Sequence, residues 1–137
     1  MRHSALTTVA VSFFCLIGVD IAAAAQWPAS VVGVWDVFAN TSHLTLRIGS
    51  QGASGACPKI AGTINNIGGP RDPIQGFYCP NSGRISFLRK DASTNDTFQT
   101  WTGNVSFSSA VPVRIGGTFA EYNNVPLLGE YNFQASK

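Results

Sequence analysis

The sequence predicts an all-β protein, an eight-stranded antiparallel up-and-down (meander) β-barrel. Three observations carry this. No segment of residues 26–137 shows an apolar stripe at helical spacing longer than one turn. Short runs rich in β-branched and aromatic residues recur instead, eight in all, at the roughly 12-residue spacing that suits hairpins. Nearly every join between them is a short stretch of turn-forming residues, which leaves no length for crossovers, so each strand should pair with its neighbour in sequence. Closing such a meander into a barrel removes both sheet edges.

The first run, Val31 to Phe38, is built on four valines and Trp35 and stops at Asn40-Thr41. The second, His43 to Gly49, carries Leu44, Leu46 and Ile48 and ends in Gly49-Ser50-Gln51-Gly52. Lys59 to Asn65 and Ile74 to Cys79 follow, divided by Gly68-Gly69-Pro70, and Pro80-Asn81-Ser82-Gly83 leads into Arg84 to Arg89. After the polar stretch from Ala92 to Asp96 come Thr97 to Ser106, Arg114 to Tyr122 and Leu128 to Ala135, joined through Ser108 to Pro112 and Asn123-Asn124. In the sixth run Thr97, Gln99, Trp101 and Gly103 face one way, and Phe98, Thr100, Thr102 and Asn104 the other. Neither face is purely apolar. An eight-stranded barrel is wide enough to be filled by side chains or to hold one small ligand. Mixed polar and aromatic interior positions favour the ligand, because a buried polar group without a partner costs ~1–3 kcal/mol.

Nine Lys and Arg against seven Asp and Glu give a formal net charge of +2, which is no footprint of a nucleic-acid binder. Charged residues are 12% and apolar ones 45% of the chain, a composition that excludes disorder. Arg2 and His3, an apolar run from Val9 to Val19, then Ile21 and Ala22 to Ala25 read as a secretory signal peptide over residues 1–25, with residues 26–137 as one barrel domain. No other segment approaches a membrane span. A secreted or periplasmic location follows, without membrane or nucleic-acid partners. Cys15 leaves with the signal. Cys57 and Cys79 remain, and an even pair in a small exported domain reads as a disulfide, closing about 22 residues and worth ~2–4 kcal/mol. Two thiols lacking nearby histidines do not complete a zinc shell, so no metal site is expected.

Gly33-Val34-Trp35, Gly62-Thr63, Ile74-Gln75-Gly76 with Tyr78, Thr100-Trp101-Thr102-Gly103, Arg114-Ile115 and Leu128-Gly129 with Phe133 together resemble the avidin and streptavidin family, in order and across nearly all of residues 26–137. The resemblance implies a barrel that takes biotin into one open end, with no other cofactor, and that assembles as dimers or tetramers. It also implies a ligand-binding set: Ser42, Asn66, Thr97, Gln99, Trp101, Phe119 and Tyr131. Trp101 keeps an aromatic wall and Phe119 stands where the family usually has tryptophan. Thr97 and Gln99 share the parity of residues that touch the ligand's sulfur and carboxylate, and Ser42 aligns with a hydroxyl that donates to the urea carbonyl. Asn66 falls at the position of a small hydroxyl residue. Other positions depart from the pattern. Val37 replaces an asparagine, Ile64 a tyrosine, Leu88 a wall tryptophan, and Tyr131 the last-strand Asp or Asn that accepts from a urea N–H. Leu88, Val37 and Ile64 are expected to form an apolar floor. With urea partners missing, ligand polar groups are left unpaired in a low-dielectric site, so weakened biotin affinity is expected.

The link from the seventh run to the eighth is short and has no Trp, so it lacks the aromatic lid that a neighbouring subunit donates in tetrameric avidins; a monomer or homodimer is expected. Catalysis has little support. His43 is the single histidine of residues 26–137, the acids show no paired spacing on one strand face, and no nucleophile-elbow motif is present, so the chain is read as no enzyme. Trp35 reads as a plug for the closed barrel end and Asp36 as outward-facing. Arg47, Arg84, Arg89 and Lys90 read as solvated exterior. The alternative to a small-ligand binder is a secreted protein-interaction barrel such as a protease inhibitor, presenting Gln26 to Ser30; an exposed Trp27 over a filled core would favour it, and an open cavity lined by Trp101, Phe119 and Tyr131 would favour the binder.

Overall fold

A computed structural model describes residues 26–107, 110, 112–122 and 127–137. The signal peptide read over residues 1–25 and the link at residues 123–126 lie outside the described residues. The eight runs form strands β1 (Gly33–Ala39), β2 (Ser42–Gln51), β3 (Lys59–Asn66), β4 (Asp72–Cys79), β5 (Arg84–Lys90), β6 (Thr97–Val105), β7 (Arg114–Tyr122) and β8 (Leu127–Ser136). Each pairs antiparallel with its sequence neighbour, and β1 pairs with β8 to close the barrel. The expected all-β meander is therefore the observed one, with strand ends displaced by one or two residues.

Alternation along each strand sends one set of side chains inward, and the register stacks them into rows. Across β5 to β8 one row is Ile85, Gly103, Gly117 and Phe133; the next is Phe87, Trp101, Phe119 and Tyr131. Small residues sit where a neighbour is large. A Cβ on Gly117 would lie 2.9 Å from the Phe133 ring, and one on Gly76 would lie 2.6 Å from the Phe87 Cβ. The two glycines give these aromatics the room that a barrel of this strand number otherwise lacks. Leu44, Leu46, Ile48, Ile60, Ile64 and Ile74 fill the opposite wall.

The barrel end at which β1 begins is closed. Trp35 is fully buried there, and its indole N–H donates to the Val31 carbonyl at 2.9 Å, as expected of a plug. The segment before β1 is tied down: Gln51 Nε2 donates to Ala29 O at 2.8 Å, Val31 N–H donates to Gln51 Oε1 at 3.0 Å, and the Tyr78 hydroxyl donates to Pro28 O at 2.6 Å. Trp27 lies against Gly83, where a Cβ would meet its ring at 2.1 Å, and against Phe107, with ring centroids 5.2 Å apart. Gly83 also has φ 68, so it serves both the β4–β5 turn and the Trp27 contact. Trp27, Pro28 and Ala29 are thus held against the barrel, so Trp27 is not the exposed residue that, over a filled core, would have favoured the inhibitor reading. Beside it the Cys57–Cys79 disulfide joins the approach to β3 to the last residue of β4.

Burial pushes the Tyr78 hydroxyl above its ordinary value of 10.0. A phenolate there would be desolvated and unable to donate to Pro28 O, so this contribution to stability is complete below pH 10 and is lost as pH rises through the raised value. We expect the unfolding free energy of the parent, measured by urea denaturation, to fall steeply above pH 10, and that of Tyr78→Phe, lower by ~0.5–1.5 kcal/mol at neutral pH for the lost hydrogen bond, to fall less over the same range.

Candidate functional site

The opposite end of the barrel, where among the described residues the β1–β2, β3–β4 and β5–β6 connections lie, carries the polar interior positions. Their basis is the aromatic row beneath. Trp101 is 2% exposed and lies between Phe87 and Phe119, stacked on both with centroid distances of 5.5 and 4.4 Å, while Phe133 meets it edge-on at 4.9 Å. Tyr131 continues the row, 5.3 Å from Phe119 and half-buried, its hydroxyl lying back over Gly129, where a Cβ would come within 2.5 Å of it. Trp101, Phe119 and Tyr131, which around an open cavity would have favoured the binder, instead pack on one another.

Above the aromatic row, Gln99 is buried at 6% exposure, and its Oε1 accepts from the Trp101 indole N–H at 3.1 Å. The structure therefore brings Gln99, Trp101, Phe119 and Tyr131 into contact. Ser42, Asn66 and Thr97 are exposed at the ends of their strands toward the same mouth, and no hydrogen bond links their side chains to that group among the described residues. Val37 and Ile64 are buried inside the barrel, on the wall opposite the aromatic row.

Two readings are corrected. Leu88 points outward at 40% exposure, opposite Thr100, and the interior position beside Trp101 belongs to Phe87. Arg89 is interior rather than solvated exterior. It follows Ile85 and Phe87 at the period of two, and its guanidinium donates from Nε and Nη2 to Asp72 Oδ2 at 2.9 and 2.6 Å and from Nη1 to Gln99 Oε1 at 3.2 Å. Asp72 Oδ1 accepts from the Ala92 backbone N–H at 3.2 Å, so the pair also ties the start of β4 to the β5–β6 turn. Counting alternate residues from Ile85 would have placed Arg89 inside; the adjacent Arg89-Lys90 pair suggested solvent instead. His43, beside Ser42, stands on the outer face, paired with Asp36 and stacked on Phe38 at 4.4 Å, and so does not face the barrel interior.

A surface concavity of about 1040 Å³ runs over the outside of the barrel, lined by Ala61, Gln75, Phe77, Leu88, Thr100 and Thr118 among others. These residues alternate with interior ones, of which Ile60, Phe87 and Trp101 also border the concavity.

The Asp72–Arg89 side chains are only 7% and 11% exposed. Arg89→Met is expected to destabilise the fold by ~3–5 kcal/mol, since it strands a buried carboxylate, whereas Asp72→Leu with Arg89→Met should recover most of that loss. Urea denaturation of the two variants beside the parent measures both effects.

No family model and no curated protein sequence matches the chain. Among solved structures, apo shwanavidin superposes with a TM-score of 0.60 at 16% sequence identity, over 83% of this chain and 100% of that one. At that identity the likeness establishes architecture: the chain has the avidin-like fold, a closed eight-stranded antiparallel meander barrel.

Proposed function

We propose that the chain is an exported avidin-like binding protein that takes a small ligand at the barrel mouth, biotin or a biotin-like compound being the leading candidate, with weakened affinity and no catalytic activity. The observation that carries this reading is the polar interior above the aromatic row. Gln99, Arg89 and Asp72 occupy positions that a barrel built only for stability fills with Val, Ile and Leu. Weak affinity is supported by the packing of Trp101 against Phe87 and Phe119. A ligand that used these rings as walls must part them first, and that reorganisation is subtracted from the binding free energy. The apolar Val37 and Ile64 supply no urea partners deeper in the barrel. The Cys57–Cys79 disulfide supports an oxidising, extracytoplasmic location.

Native mass spectrometry with and without added biotin tests the ligand, and calorimetry tests the residues. The parent should bind biotin weakly. Trp101→Phe should lower the affinity roughly tenfold by removing the larger ring, and Tyr131→Asp should raise it, because a carboxylate accepts from a urea N–H more strongly than a phenol does. No biotin adduct and no heat would overturn biotin as the ligand.

The same reading makes the protein a monomer or homodimer, since residues 123–126 bring no aromatic to a neighbour's mouth. Sedimentation at micromolar concentration should show no stable tetramer.

A further inference from the structure

Cross-strand partners share a face of the sheet, so Arg89, Gln99 and Glu121, in register across β5, β6 and β7, form one interior row directly above the Phe87–Trp101–Phe119 row. Hydrogen bonds within it run one way. Asp72 holds Arg89 through two N–H groups, Arg89 Nη1 donates to Gln99 Oε1 at 3.2 Å, and Trp101 Nε1 donates to the same oxygen at 3.1 Å. A guanidinium and an indole N–H can only donate, so the Gln99 carboxamide has one satisfactory orientation, with its oxygen toward them and its NH₂ turned away. Among the described residues that NH₂ group has no protein acceptor, and no buried side-chain nitrogen or oxygen is left without a partner. The Gln99 NH₂ group therefore opens onto the mouth as a donor.

Glu121 stands next to it in the row, half-buried, and among the described residues its carboxylate makes no side-chain hydrogen bond or ion pair. Directly opposed residues of an antiparallel pair have Cβ atoms about 4.5–5.5 Å apart. A donor beside an acceptor at that spacing complements a group that presents a carbonyl next to an N–H. An anionic carboxylate is a poor match, because it offers no donor to Glu121 and is repelled by it.

We propose that Gln99 and Glu121 form a subsite at the barrel mouth for the –NH–C(=O)– edge of a cyclic urea or lactam, with Arg89 and Asp72 as positioning residues that fix the Gln99 amide. The inference rests on the small-ligand reading above and assigns the polar recognition of that ligand to the mouth instead of to the deeper positions occupied by Val37 and Ile64.

The test is a nuclear magnetic resonance titration of the ¹⁵N-labelled protein with 2-imidazolidinone, biotin and hexanoate. The two ureas should move the Gln99 side-chain NH₂ and Trp101 indole resonances, and hexanoate should leave both in place. Gln99→Glu keeps acceptor oxygens for Arg89 and Trp101 but turns the mouth-facing donor into an acceptor, and it should weaken both ureas at least tenfold. Asp72→Leu with Arg89→Met, shown to be folded by its indole resonance, should release the amide and lower the preference for 2-imidazolidinone over hexanoate. Biotin binding with the Gln99 resonances unmoved, or unchanged by Gln99→Glu, overturns the subsite and leaves the small-ligand reading standing. A response to 2-imidazolidinone at Gln99 without any to biotin supports the subsite and removes biotin as the ligand. Silence of Gln99 toward every probe, or an equal response to hexanoate, overturns the proposal.

Discussion

Closure of β1 onto β8 is the constraint from which the rest of the interior follows. Asp36 to Ala39 pair with Phe133 to Ser136, and this short seam turns an open meander into a barrel with no exposed sheet edge. It also fixes the radius. An eight-stranded barrel leaves a bore about as wide as its own side chains, so a large residue on one strand requires a small one beside it. Gly103 and Gly117 flank Phe133, and Gly76 lies beside Phe87, because at each of these points a Cβ would collide with backbone or ring. The aromatic row is thus a consequence of closure, and its tightness decides how much of the bore stays open.

The two ends of the bore satisfy their polar groups by different means. At the closed end the segment before β1 supplies backbone carbonyls, which accept from Tyr78 and Gln51 while Trp35 fills the cross-section. Among the described residues no buried side-chain nitrogen or oxygen there lacks a partner. At the mouth side chains satisfy one another, through the Asp72–Arg89 pair and its bonds to Gln99 and Ala92 N–H. An isolated buried charge would be costly, and the pair is tolerable because the guanidinium also finds the Gln99 amide and the carboxylate a backbone N–H. Among the described residues the amide NH₂ of Gln99 and the carboxylate of Glu121 are the groups of that row that make no side-chain hydrogen bond to the protein.

Much of the architecture was legible because it is written locally. The eight runs, their turn residues and the burial of Trp35 follow from β-branched and aromatic composition punctuated by Gly, Pro, Asn and Ser. The site was legible only in part. Gln99, Trp101, Phe119 and Tyr131 meet, and simple alternation along β6 anticipated the first two. Leu88 was misplaced because its position was taken from the resemblance, as that of a wall tryptophan, whereas the residue opposite Trp101 is Phe87. A slip of one residue carries a side chain to the other face of the sheet.

What the sequence by itself determined is therefore the fold class, the order and extent of the strands, and the pairing of neighbours, since short links permit no other connection. What only the tertiary structure decided is which of the inward residues touch. Asp72 on β4, Arg89 on β5, Gln99 on β6 and Glu121 on β7 are scattered through the chain and unremarkable one by one. Their adjacency depends on the register of three strand pairs, and register is a property of contacts between distant segments that no local pattern specifies.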